Sequence, residues 1–142
     1  MQQVDAGSYV VDLCTALEAI TPSDDRIHLE AKVEDGIFVS ADQAIPLGLA
    51  MTELVTNAVK YAFPTPRSGT ILAQMRRHQP GRIELVIQDN GIGMAGTREG
   101  SLGYGLVRSL VEQLRGVIDI RSEAGVIVTI SFPDLPPAET SG

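Results

Sequence analysis

Three times along this chain of 142 residues, a stretch with apolar side chains at three-to-four spacing gives way to two stretches whose apolar side chains alternate or run together. A helix buries a stripe and a strand buries a face, so this order has few compact solutions. The predicted fold is an α/β (α+β) two-layer sandwich: a mixed, mostly antiparallel sheet with about three helices on one of its faces.

The first helix is predicted over residues 8 to 20, where Val10, Leu13, Leu17 and Ile20 share a side. From Arg26 to Val33 the period changes to strict alternation, with Ile27, Leu29, Ala31 and Val33 on one face. Glu34-Asp35-Gly36 reads as a turn before a short strand, Ile37 to Val39. A second helix is expected from about Gln43 to Ala62, with Asp42 as its N-cap and Pro46 within its first turn. Strands at Thr70 to Arg76 and Arg82 to Asp89 should meet through Gln79-Pro80-Gly81. The third helix carries the stripe Leu106, Leu110 and Leu114 beside Val107 and Val111, with Gly116 expected to end it in a left-handed conformation. A last hairpin pairs Val117 to Arg121 with Val126 to Phe132. One domain is expected over residues 1 to 133, followed by a disordered tail, 134 to 142.

Composition narrows the function classes. Charged residues make up 20% and hydrophobic residues 44%, neither a disordered nor a membrane composition. A net charge of −7 disfavours nonspecific nucleic-acid binding. The start of the chain has no signal-peptide pattern, no apolar run is long enough for a bilayer, and the single cysteine, Cys14, has no partner for an internal disulfide. A cytoplasmic location without membrane contact is the expectation.

Chemistry concentrates in three places. On the second helix Glu53, Asn57 and Lys60 fall within about 60 degrees of one another, while Leu47, Met51, Leu54, Ala58 and Ala62 cluster on the far side. An ordinary solvated face would look the same, so the neighbouring motifs must decide. In the strand ending at Asp89, that carboxylate shares parity with Ile83, Leu85 and Ile87 and so points to the buried side. A buried carboxylate is costly without a partner, and one at the mouth of an apolar pocket could accept a hydrogen bond from the amine of an adenine. Gly91 and Gly93 permit positive φ and close approach to a flat ligand, although Asp-Asn-Gly is also a common strand-ending turn. Gly103-Tyr104-Gly105-Leu106 opens the third helix, whose free amides and positive dipole end make a phosphate cradle. Between them, Ala95 to Ser101 is polar and contains Gly96 and Gly100, consistent with a lid.

Together Glu-Leu-Val-Thr-Asn-Ala-Val-Lys-Tyr (53 to 61), Asp-Asn-Gly-Ile-Gly-Met (89 to 94) and Leu-Gly-Tyr-Gly-Leu (102 to 106) resemble the N box and the two glycine boxes of the Bergerat-fold ATPases. Within that superfamily, Pro-Leu-Gly-Leu before the N box, Tyr-Ala-Phe-Pro after it and the short lid resemble sensor histidine kinases of the HWE-like subgroup. Thr52 stands where HWE kinases proper usually carry histidine, which points to the sister group. The resemblance implies ATP and Mg²⁺ as cofactors. Asn57 would offer its amide oxygen to Mg²⁺, and Glu53 would act catalytically, orienting a metal-bound water or the attacking group. Lys60 would contact phosphate, Tyr61 would lie along the nucleotide, and Asp89 would read the adenine amine. Gly91, Gly93, Gly103, Tyr104, Gly105 and Leu106 would line the nucleotide.

Two departures shape the expectation. The family usually carries Gly-Thr in the last hairpin, where this chain has Gly125 and Val126, so weaker adenine binding is expected. Such kinases bear their phosphoacceptor histidine on a dimerising helical hairpin, and the residues before Ser8 are too few for one. His28 and His78 are expected to be plain surface residues. The resemblance therefore implies a catalytic domain whose acceptor histidine lies on a separate helical hairpin, with a response regulator downstream. This segment alone is expected to be a monomer with little autophosphorylation. An anti-sigma serine kinase of the same fold, or a degenerate phosphotransfer scaffold, would be the alternatives.

Overall fold

A computed structural model describes residues 3–21, 26–64, 66–93 and 104–134. The elements run β1 (Gln3–Asp5), α1 (Ala6–Leu17), β2 (Ile27–Val33), β3 (Phe38–Ser40), α2 (Ala41–Tyr61), β4 (Gly69–Gln79), β5 (Arg82–Asp89), α3 (Tyr104–Gln113), β6 (Val117–Glu123) and β7 (Gly125–Pro133). The main sheet has five strands in the order β2-β4-β5-β7-β6. Only β2 and β4 are parallel, and the other pairings are antiparallel. The predicted two-layer sandwich is thus observed, with one difference. β3 does not join the main sheet but pairs antiparallel with β1, a strand too short for the alternation signal to register.

Strand parity builds the core. Leu29, Ile71 and Asp89 lie side by side across β2, β4 and β5, as do Met75, Leu85 and Ile130 across β4, β5 and β7. These residues face the helices and join Val10, Leu47, Met51, Leu54, Val107 and Leu110 in a single buried cluster. His28, Glu30, Lys32, Gln74 and Arg76 occupy the opposite parity. His28 and His78 are both exposed, as expected, and His78 stands 3.8 Å from Glu84.

Helix ends correct several expectations. The N-cap of α2 is Ser40 rather than Asp42: its Oγ accepts the Gln43 amide at 3.0 Å while Gln43 Oε1 accepts the Ser40 amide at 2.9 Å. Starting the helix at Ala41 places Pro46 in its second turn, where it has no N–H for the Asp42 carbonyl. At the end of α3 the left-handed residue is Arg115, with φ 57, rather than Gly116. The Gly116 amide reaches back to the Val111 carbonyl at 3.0 Å and the Arg115 amide to that of Glu112 at 2.9 Å, a Schellman closure. Gly116 is required for space instead, because a Cβ there would sit 2.5 Å from the Ser131 carbonyl oxygen.

Cys14 packs into the core on α1, and burial, reinforced by the Glu18 carboxylate, pushes its thiol up to about 11. Burial disfavours the thiolate, so at pH 8 only about one thiol in a thousand is ionised. Iodoacetamide should leave Cys14 unmodified in the folded chain and label it promptly in guanidinium, as read by mass spectrometry.

Candidate nucleotide site

The site is assembled where the C-terminal end of α2 meets the loop after β5. α2 buries a broad arc against α1, the sheet and α3. The Tyr9 hydroxyl bonds the Ala44 carbonyl at 2.8 Å and lies against Gly48, where any side chain would collide with it. The three polar residues expected together on the face away from the packing side are in fact graded. Lys60 is exposed, Glu53 is half-buried, and Asn57 is 5% exposed. The reason is angular: Asn57 lies beside Ala50 and Leu54 on the edge of the buried arc, whereas Lys60 is turned farther out. Tyr61, in the last position of α2, is exposed.

Asp89 lies as its parity requires, on the helix side with Ile83, Leu85 and Ile87, and is 5% exposed. Its Oδ1 accepts the amides of Gly91 at 3.0 Å and Val126 at 3.3 Å. Main-chain dipoles thus compensate the desolvation of the carboxylate. The Gly91 bond is an Asx turn, so the strand-ending turn and the buried acceptor are features of the same residue. The Val126 side chain is itself buried, and its amide supplies the bond to Asp89. Gly125 before it has φ 121, and a Cβ there would meet the Asp89 carbonyl oxygen.

The glycines divide by role. Gly93 has φ 81, the left-handed conformation expected. Gly91 does not, and its lack of a side chain is used against the protein: a Cβ would run into the carbonyl oxygen and, at 2.6 Å, the Cβ of Ala62 at the end of α2. The Ile92 amide seals the same contact by donating to the Ala62 carbonyl at 3.0 Å. Asp89 and Asn57 are therefore brought to one end of the sandwich, Asn57 standing five residues, about 7.5 Å of helix, before Ala62.

At the third motif α3 starts at Tyr104, while Gly103 and the lid expected over Ala95 to Ser101 lie outside the described residues. Tyr104, the first residue of α3, is 2% exposed and packs into the core. Gly105 has open space around it. Leu106 is 51% exposed, so the buried stripe runs through Tyr104, Val107, Leu110, Val111 and Leu114 rather than from Leu106. Residues that sequence reasoning missed are Asn90, whose Oδ1 accepts the Thr70 amide at 2.8 Å, and the arginines that hold its loop. No periodicity marks them, because their partners are main-chain groups distant in sequence.

The family described as histidine kinase-, DNA gyrase B- and HSP90-like ATPase matches residues 42–136. The chain belongs to this ATPase family. Among its relatives, blue-light-activated histidine kinase 2 of Erythrobacter litoralis is 28% identical over 136 residues, which cover 92% of this chain and 38% of that protein. Sensor histidine kinase PdtaS of Mycobacterium tuberculosis is 27% identical over 140 residues, covering 93% of this chain and 28% of the relative. The chain thus spans well under half the length of these curated relatives. Among solved structures, the histidine kinase domain of the Erythrobacter litoralis EL346 blue-light kinase superposes with a TM-score of 0.80 at 25% identity, covering 92% of this chain and 61% of that one. A mycobacterial kinase, MprB, gives 0.75 at 21%, covering 95% of this chain and 99% of that one, a likeness of fold alone. The Bergerat ATPase fold implied by the sequence motifs is borne out, and the blue-light kinase lies in the HWE-like direction that they indicated.

Proposed function

We propose that this chain is the ATP- and Mg²⁺-binding catalytic domain of a sensor histidine kinase, occupying residues 1 to 133. The observation that supports this most is the buried Asp89, shaped by two main-chain amides and set beside the end of the α2 helix that carries Asn57. Asp89 would accept the adenine amine, and Val126, lacking a hydroxyl, would contribute only its amide to that corner. Asn57 would hold Mg²⁺ through its oxygen, Lys60 would contact phosphate, and Tyr61 would lie along the nucleotide. Gly91, Gly93, Gly103, Gly105 and Leu106, with the backbone of Tyr104, would line it. Bound Mg²⁺ neutralises phosphate charge, which lowers the barrier to phosphoryl transfer. The chain's own share is positioning, with half-buried Glu53 orienting the attacking group.

The acceptor would be a histidine on a helical hairpin of the full-length kinase, from which a response regulator would receive the phosphoryl group. His28 projects from the sheet face opposite the helices, which supports an acceptor supplied from outside this segment. Cytoplasmic residence would provide the nucleotide, the segment would be monomeric, and its acidity leaves nucleic acid an unsuited partner. The relatives' names, all histidine kinases, favour this over an anti-sigma serine kinase.

Calorimetry with a non-hydrolysable ATP analogue should show Mg²⁺-dependent binding below about millimolar Kd, that is, more than roughly 4 kcal/mol. Heat identical to buffer dilution at millimolar nucleotide, with and without Mg²⁺, would overturn the proposal.

A further inference from the structure

Arg26 stands immediately before β2, remote in sequence from every residue given a role above. Its Nη1 donates to the Phe63 carbonyl at 3.0 Å and to the Arg67 carbonyl at 2.6 Å, at the two ends of the connection from α2 to β4. Arg67 then donates from Nη2 to the Asn90 carbonyl at 3.2 Å. Asn90 is held from its other side too, its Oδ1 accepting the Thr70 amide at 2.8 Å and its own amide donating to the Thr70 carbonyl at 3.3 Å. The Arg67 amide closes the connection on the Pro64 carbonyl at 2.7 Å. Gly69 permits the assembly, because any side chain there would meet both the Phe63 ring and the Asn90 amide oxygen.

We propose that Arg26 is a positioning residue for the nucleotide site: through Arg67 it sets where the Asp89–Gly93 loop rests against the end of α2. A guanidinium suits this place. It stays charged, presents several donors in a fixed fork, and here meets a carbonyl just beyond a helix C-terminus, where the dipole is negative. The loop it steadies contains Gly91, whose amide orients the Asp89 carboxylate. The register between Asp89 and α2, and with it the separation between the adenine and metal ends of the site, depends on this chain of bonds. The inference rests on the ATP reading for its consequence, but its structural half can be tested without nucleotide.

The test uses the full chain with Arg26→Ala, Arg26→Lys, Arg67→Ala and the double alanine variant. Without nucleotide, hydrogen exchange at the Ile92 amide should quicken in Arg26→Ala, while exchange at Leu85 and Ile130 in the sheet stays as in the parent. The Kd for the ATP analogue with Mg²⁺ should rise about tenfold. Arg26→Lys should recover part of the loss. The double variant should bind no worse than the weaker single variant, because the two arginines act in series. Uniformly faster exchange with an unchanged Kd would give Arg26 a purely structural role and overturn the inference. If Arg26→Ala fails to fold, the exposed Arg67→Ala carries the same two readouts. Failure of the parent chain to bind nucleotide would overturn the functional reading instead, and the Ile92 exchange would still decide the positioning role.

Discussion

Asp89→Asn should abolish nucleotide binding while leaving the domain folded. The substitution keeps the side-chain shape and one oxygen, so the Gly91 and Val126 amides retain their acceptor. What changes is the rest of the group. A carboxylate only accepts, whereas a carboxamide places an N–H₂ donor where the adenine amine must donate, and two donors cannot pair. A lost charge-assisted bond combined with a buried mismatch costs roughly 3 kcal/mol or more, about a hundredfold or more in Kd. Calorimetry should therefore show no saturable binding at concentrations that saturate the parent, and thermal melting should shift by only a few degrees. Parental affinity in Asp89→Asn would remove the adenine assignment.

Gly125→Ala should produce the largest loss of stability of any single methyl addition considered. Two independent costs coincide there. The φ of 121 is a conformation that alanine adopts only under strain, about 1–3 kcal/mol. The new Cβ would also meet Asp89 main-chain atoms, its carbonyl carbon at 2.9 Å, where the first residue of β7 passes the last residue of β5. Overpacking of this kind adds roughly 1–3 kcal/mol, so a total of about 2–6 kcal/mol is a large part of a domain's usual stability. Gly36→Ala is the control: φ is +80 but nothing lies within 4 Å of the added carbon, so only the conformational cost applies. Denaturant unfolding should rank Gly125→Ala well below Gly36→Ala, and equal losses would show that the close approach to Asp89 carries no energy. Because the Val126 amide follows directly, Gly125→Ala should weaken nucleotide binding as well.

Much of this architecture was legible because period and parity are local. The alternation of β2 and the parity of β5 identified the faces turned to the helices, Asp89 included, and the α2 spacing separated its packing side from Glu53 and Lys60, whereas Asn57 lies buried at the edge of that side. Misreadings arose where local chemistry offered equivalent choices. Ser40 and Asp42 can both cap a helix, and only Gln43 reaching back selects Ser40. Leu106 and Tyr104 can both belong to an apolar stripe, and only the placement of α3 on the core buries one and exposes the other.

By itself the amino-acid order determined the sandwich, the three motifs and the inward side of Asp89, since these follow from repeat periods and backbone preferences within a few residues. Tertiary structure alone decided how the motifs are joined. The Val126 amide on Asp89, the fit of Gly91 to Ala62 and the Arg26–Arg67–Asn90 connection each unite residues separated by 23 to 41 positions or by the turn of a helix end. Such contacts depend on chain closure and shape, which no local pattern encodes.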